Sequence, residues 1–279
     1  MVATATAAAC SESGTATNDT DGASHRTLVD NSAIAAPPVD ASAYAVFDTR
    51  ASTMLATSNA DARLSVGSLM KLLNAVVAYD ADQQDKDVVA PDGLAGSEGE
   101  SVIGIGAGQV VSRSTLIRAM LKVSANDAAR LLAIDIAGSE DVYATMMNDA
   151  AASLGLTNTH AVNASGVDAE GQFSSARDLI TLATALSANA DFRQTVMETT
   201  AQFNGQTIPN TNDLLVTYPG ADGIKTGHTS NAGYCHLASA TRHGRRIIVA
   251  VLGAPTEDAR DQAAATLLDW AFTQGPPQG

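Results

Sequence analysis

Apolar and polar positions along the chain change period three times. Around residues 43–57 they alternate: Tyr44, Val46 and Asp48 take one parity and Ala45, Phe47 and Thr49 the other. Arg50-Ala51 interrupts the run and Thr53 to Thr57 resumes it, which predicts a β-hairpin. Residues 68–80 are apolar nearly all round, the mark of a helix buried inside a domain. Residues 82–112 are polar and Gly-rich, without a period. Helical spacing then dominates. Ser114 is placed to cap Leu116, Ile117, Met120 and Leu121, and a break at Ser124-Ala125-Asn126 precedes a helix over 127–136. Ser139 caps a helix that stops at Gly155, and Ser175-x-x-Asp178 forms a capping box before Leu179, Leu182 and Leu186. The last third returns to strands over 224–229, 234–241 and 246–252, with a turn at His243-Gly244, and closes on a helix capped by Thr256.

Strands, helices, strands and a final helix predict an α/β fold: a mostly antiparallel sheet sandwiched by helices, with an all-helical insert over about 82–190. One domain over 41–275 accounts for the ordered pattern. Residues 1–40 are rich in Ala, Thr, Ser, Asp and Gly, close on Pro37-Pro38, and read as a disordered tether.

Within the apolar helix the polar exceptions are Ser68, Lys71 and Asn74, spaced by three and therefore on one face. An ammonium there is costly to bury, so its pKa falls unless a partner holds it. A neutral lysine amine one turn from a serine is a base able to make that serine a nucleophile. The alternative is a lysine that snorkels to the helix end.

Composition removes several classes. A formal charge of −14 and no Lys/Arg-rich run argue against a nucleic-acid partner. The two cysteines, Cys10 and Cys235, have no metal-ligand spacing, and the five histidines form no HExxH pattern; no metal and no cofactor are expected. Cys235 reads as a small core residue. No segment reaches the length of a membrane-spanning helix. Residues 1–10, MVATATAAAC, are not a full signal peptide, although the ending at Cys10 is similar to a lipoprotein cleavage site, which would allow lipid attachment there.

Three short elements carry the chemistry: Ser68-x-x-Lys71 on the helix, Ser124-Ala125-Asn126 between helices, and Lys225-Thr226-Gly227 on a strand, where the glycine admits close approach of a ligand backbone. Each is weak alone. Their order, each in its proper context, is that of the penicillin-recognising serine enzymes. With the flanking runs RLSVGSLMKLL, VDAEGQFSSARDL and PGADGIKTGHTSNAGYCHLASATRHGRRIIVAVLGA, the chain resembles the serine-type D-alanyl-D-alanine carboxypeptidases, the low-molecular-weight penicillin-binding proteins, from about Ala43 to Phe272.

The resemblance implies a β-lactamase/transpeptidase-like fold and a cell-wall enzyme outside the cytoplasm, either secreted or lipid-anchored through Cys10. Its substrate would be a peptidoglycan stem peptide ending in D-Ala-D-Ala, and β-lactam antibiotics would acylate it. Ser68 would be the nucleophile, Lys71 its base, and Ser124 the relay toward the leaving amine. Asn126 would orient Lys71 and the substrate amide. Lys225 would add positive potential, Thr226 would bind the terminal carboxylate, and Gly227 would let the substrate lie along the strand. The N–H groups of Ser68 and His228 would form the oxyanion hole, with the His228 ring either touching substrate or merely packing. The arginine that some relatives place before a Leu-Leu pair is missing at Asn212-Asp213-Leu214-Leu215, which shifts carboxylate recognition toward Thr226, Thr229 and Arg260. Arg260 has an equal alternative as an exposed residue paired with Asp258 or Asp261. Ser165 and Gly166 are expected to shape the helical block, and Asp168 and Glu170 to be turn or surface residues.

Two rivals remain at this point. A β-lactamase would share all three elements, but the Glu-x-x-Leu-Asn stretch of the common class is absent after Ser124, so slow deacylation is expected. A non-catalytic wall-binding module would keep the fold, which intact motifs argue against.

Overall fold

The computed structural model describes residues 29–30, 35–81, 83–94, 96 and 99–274. In chain order the first strands are β1 (Val29–Asp30), β2 (Ala43–Asp48) and β3 (Thr53–Ser58). A 3₁₀ turn, Gly67–Met70, leads straight into α1 (Lys71–Asp80). A small hairpin, β4 (Asp87–Val89) with β5 (Val110–Ser112), opens the helical block of α2 (Arg113–Lys122), α3 (Asn126–Ala137), α4 (Glu140–Ser153), α5 (Ala176–Leu186) and α6 (Ala190–Met197). A second hairpin, β6 (Thr200–Phe203) with β7 (Gln206–Pro209), and the short α7 (Leu214–Thr217) return the chain to the sheet. The sheet is completed by β8 (Ala221–Thr229), β9 (Gly233–Arg242) and β10 (Arg245–Ala254), and the chain closes on α8 (Glu257–Thr273).

The six-stranded sheet has the order β1-β3-β2-β10-β9-β8. All its pairings are antiparallel except β1 with β3. The period-two pattern of β10 explains the two layers. Ile248, Ala250 and Leu252 enter the core shared with α1, α2, α3 and α5, while Ile247, Val249 and Val251 meet Ala264, Leu267 and Leu268 of α8 on the other face. Each of the fully buried Ile, Val and Leu side chains among them contributes about 1.5–3 kcal/mol relative to exposure. The sheet sandwiched by helices, read from the strand–helix–strand–helix order, is the architecture found.

Three local details differ from the sequence reading. The cap of α2 is Ser112, whose Oγ accepts from Thr115 N at 3.2 Å, and not Ser114. Either serine suits the apolar spacing, but the helix starts one residue before Ser114. The segment read as a tether contains β1, and Ala36 and Val39 pack against the α8 layer; residues 1–28, with Cys10, lie outside the described residues. The helix α6 and the β6–β7 hairpin were not anticipated, because Asn189 is a cap without a long apolar stripe behind it. Ser139, Ser175 and Thr256 cap α4, α5 and α8 as expected, each accepting from the third following N–H. Cys235 is buried with its thiol against Ala232 O.

Candidate active site

Fold and site meet at the start of α1. The 3₁₀ turn carries Ser68, and α1 begins at Lys71, so one turn separates them along the same face. Lys71 is fully buried, with Nζ 2.9 Å from Ser68 Oγ and 2.6 Å from Asn126 Oδ1, and in contact with the carbonyl oxygen of Ser165. Asn74, the third polar residue of the series, explains how that carbonyl is held. Its Nδ2 donates to Ala164 O at 2.9 Å and its Oδ1 accepts from Tyr143 OH at 2.9 Å, which locks the 164–165 loop against α1 and α4.

The amide and carbonyl oxygens around Lys71 can only accept. As an ammonium Lys71 donates to all three oxygens; as a neutral amine, with two N–H groups and one lone pair, it gives its N–H groups to Asn126 and Ser165 and turns the lone pair to the Ser68 hydroxyl. Burial is the main cause that holds Lys71 well below the ordinary lysine value. The cations Lys225 and Arg130 add to the effect, and the carboxylates Glu100 and Asp127 oppose it. Snorkelling is excluded by a side chain with no exposure.

β8 is the last strand of the sheet and supplies Lys225, Thr226 and Gly227. It packs directly on the turn bearing Ser68. A methyl group at Gly227 would lie 2.7 Å from Val66 O and 3.2 Å from Ser68 N, closer than a side chain tolerates, so only glycine allows this approach. On the other side of the same contact, a methyl at Gly67 would lie 3.1 Å from His228 N, which brings the two N–H groups expected to form an oxyanion hole to one place. Lys225 is buried, with Nζ donating to Thr226 O at 2.8 Å; burial, with the Arg260 guanidinium nearby, pushes it down to about 7.

Ser68, Ser124, Asn126, Thr226, Gly227, His228, Thr229 and Arg260 line one cleft of about 600 Å³. Lys71 and Lys225 are fully buried and bear on it from behind. Ser124 sits at φ 62°, a left-handed conformation that a serine adopts only when its surroundings impose it, between the ends of α2 and α3.

Arg260 is not the exposed residue that one reading supposed. It is 2% exposed and forms a two-pronged pair with Asp261, both bonds 2.8 Å, with a third bond to Glu257 at 3.0 Å. The His228 ring stacks on Tyr234 with centroids 4.1 Å apart. Thr226 Oγ1 lies 2.7 Å from Thr211 Oγ1. The Thr229 hydroxyl is already committed, donating to Asp168 at 2.6 Å and accepting from Ala232 N at 3.0 Å. Asp168, read as a turn residue, therefore braces the end of β8, and it also accepts from Ser65 Oγ and Asn231 N.

Glu100, Thr211 and Tyr234 are cleft residues that sequence reasoning did not single out. Thr211 stands close to Lys225-Thr226-Gly227 in space only, and Tyr234, seven residues after Gly227, reads in sequence as an ordinary strand residue. Glu100 lies in the stretch without a period, so no pattern marked it. Among the described residues no cluster of three His, Cys, Asp or Glu side chains is placed to hold a metal ion.

Residues 30–256 match the family described as D-alanyl-D-alanine carboxypeptidase. The chain belongs to that family. Among its relatives, the D-alanyl-D-alanine carboxypeptidase DacA of Escherichia coli strain K12 is 36% identical over 248 residues, 85% of this chain and 62% of that protein. DacB2 of Mycobacterium tuberculosis is 38% identical over 253 residues, 86% of this chain and 85% of that protein. The solved structure of the D-alanyl-D-alanine carboxypeptidase of Mycobacterium tuberculosis H37Rv superimposes with a TM-score of 0.82 at 34% identity, covering 90% of this chain and 98% of the other. The Streptomyces K15 DD-transpeptidase superimposes at 0.81 with 29% identity, covering 86% and 100%. The chain thus spans less than two thirds of the Escherichia coli family member and most of the mycobacterial one.

Proposed function

We propose that this protein is a serine D-Ala-D-Ala carboxypeptidase that removes the terminal D-alanine of peptidoglycan stem peptides through an acyl-enzyme on Ser68. The single observation that carries the reading is the buried Lys71 amine, 2.9 Å from Ser68 Oγ, with acceptors for both its N–H groups. Family membership supports the substrate class.

In the first step the Ser68 oxygen attacks the carbonyl between the two D-alanines and Lys71 takes the hydroxyl proton. The oxyanion accepts from the N–H groups of Ser68 and His228, which are fixed in place before substrate arrives. As the peptide bond breaks, Ser124 gives its hydroxyl proton to the departing amine and takes up the proton held by Lys71, which becomes a neutral amine again. Water then hydrolyses the ester and restores Ser68. The substrate backbone adds to β8, the last strand of the sheet, as a further strand. Its terminal carboxylate meets the Thr226 hydroxyl and the positive potential of Lys225, while Arg260, its charge offset by Asp261 and Glu257, lines the same end of the cleft. A β-lactam would enter the same first step and stay on Ser68.

Such substrates place the enzyme's work on the cell-wall side of the membrane. No helix among the described residues is long and apolar enough to cross a membrane. The test is release of D-alanine from a peptide ending in D-Ala-D-Ala, together with labelling by a fluorescent penicillin. Both are expected in the native chain, and both are expected to be lost in Ser68→Ala. Labelling without release would support the non-catalytic reading, and equal labelling of Ser68→Ala would overturn the assignment.

A further inference from the structure

Asn126 is held from two sides. Its Oδ1 accepts from Lys71 at 2.6 Å, and its Nδ2 donates to Glu100 Oε2 at 2.8 Å. The same Glu100 oxygen accepts from Arg130 Nη2 at 2.6 Å. Glu100 comes from the loop between β4 and β5, Arg130 from α3, and both side chains are largely buried, at 15% and 17% exposure. Turning the Asn126 amide over would set its NH₂ against the Lys71 amine and its oxygen against a carboxylate, so the Glu100 carboxylate selects the orientation in which Asn126 accepts from Lys71.

We infer that Glu100, clamped by Arg130, is a positioning residue for the acylation step: it fixes the Asn126 amide, which in turn aims the Lys71 lone pair at Ser68. The oxygen that holds Asn126 is shared between that amide donor and the Arg130 guanidinium, which fits a positioning role. The inference rests on the reading of Ser68 as nucleophile and Lys71 as base.

The arrangement also has an electrical consequence. Lys71 is faced by Lys225 from β8, by Arg130 and Asp127 from α3 and by Glu100 from the loop. Glu100 and Arg130 act on it in opposite directions. Removing the carboxylate therefore favours the neutral amine, and removing the guanidinium favours the ammonium.

The test is the second-order rate of Ser68 acylation by a fluorescent penicillin, from acidic to alkaline pH, in the full chain and in Glu100→Ala, Glu100→Gln, Arg130→Ala and Ser68→Ala, with thermal unfolding followed alongside. In Glu100→Ala the plateau rate is expected to fall about tenfold or more, the worth of a hydrogen bond to a charged group. Its acidic limb moves to lower pH, while that of Arg130→Ala moves to higher pH. Glu100→Gln, which keeps an acceptor, recovers part of the rate. A purely structural loop residue would shift both limbs together or neither. Acylation by Glu100→Ala within twofold of the native rate, or limbs that move the same way, would overturn the inference while leaving Ser68 as nucleophile intact. A native chain that does not label at all would overturn both.

Discussion

Lys71 and Lys122 are both buried lysines, and they show two ways a fold can surround such a side chain. Lys122, at the end of α2, is 4% exposed, and its Nζ meets Glu198 at 2.6 Å and the Thr200 carbonyl at 2.9 Å. Lys71, at the start of α1, is fully buried among a hydroxyl, an amide oxygen and a backbone carbonyl, all uncharged. The first arrangement holds the β6 strand to the helical block. The second withholds a counter-charge and keeps Lys71 well below the ordinary lysine value. Burial lowers the basicity of Lys71, and neutral oxygens in place of a paired carboxylate leave that effect uncompensated.

The comparison can be broken at several points. Lys71→Met should cost acylation on the order of 10³-fold, because the proton of Ser68 loses its acceptor, with folding retained on thermal unfolding. Asn126→Asp, made together with Glu100→Gln so that two carboxylates do not face each other, would give Lys71 the kind of partner Lys122 has. A carboxylate at that position favours the ammonium, so acylation at neutral pH should fall about 10²-fold and the acidic limb of the pH–rate profile should move upward. An unchanged limb would break the link between partner type and basicity.

Lys225 offers a stability test of the same idea. Its folded pKa, about 7, lies below the unfolded lysine value, so the unfolded chain binds more protons between them and stability rises with pH across that interval. The penalty is complete below about pH 7 and gone above the unfolded value. Lys225→Met should therefore stabilise the fold by on the order of 4 kcal/mol near pH 6 and flatten that slope, as read by denaturant unfolding at several pH values. The smallest effect belongs to Lys122→Met. Glu198 is one third exposed, so its loss of a partner is softened by water, and about 1–2 kcal/mol of stability should go while acylation per folded molecule stays at the native rate.

Much of this site could be read along the chain because its chemistry is local. Ser68 and Lys71 share a turn, and Lys225, Thr226 and Gly227 share a strand, so helical and strand periods bring them out directly. The sheet was legible for the same reason: β2, β9 and β10 alternate cleanly between two apolar layers. What escaped is long in sequence and short in space. Glu100 reaches Asn126 across 26 residues from a Gly-rich stretch, and Asp168 reaches Thr229 across 61. Thr211 reaches Thr226 from the link between β7 and α7, elements of four residues each and too short to show a period. Arg260 showed its place near the cleft but not its burial, since a run of charged residues reads as a solvated helix face until α8 packs on the sheet.

The central claim is that Lys71 is an uncharged amine beside Ser68 at working pH. Titration of the lysine side-chain ¹³Cε signals by NMR in the full chain, with Lys71→Arg to assign the resonance, measures this directly. The account requires a midpoint well below that of an ordinary lysine. A Lys71 signal that titrates with the exposed lysines would contradict it.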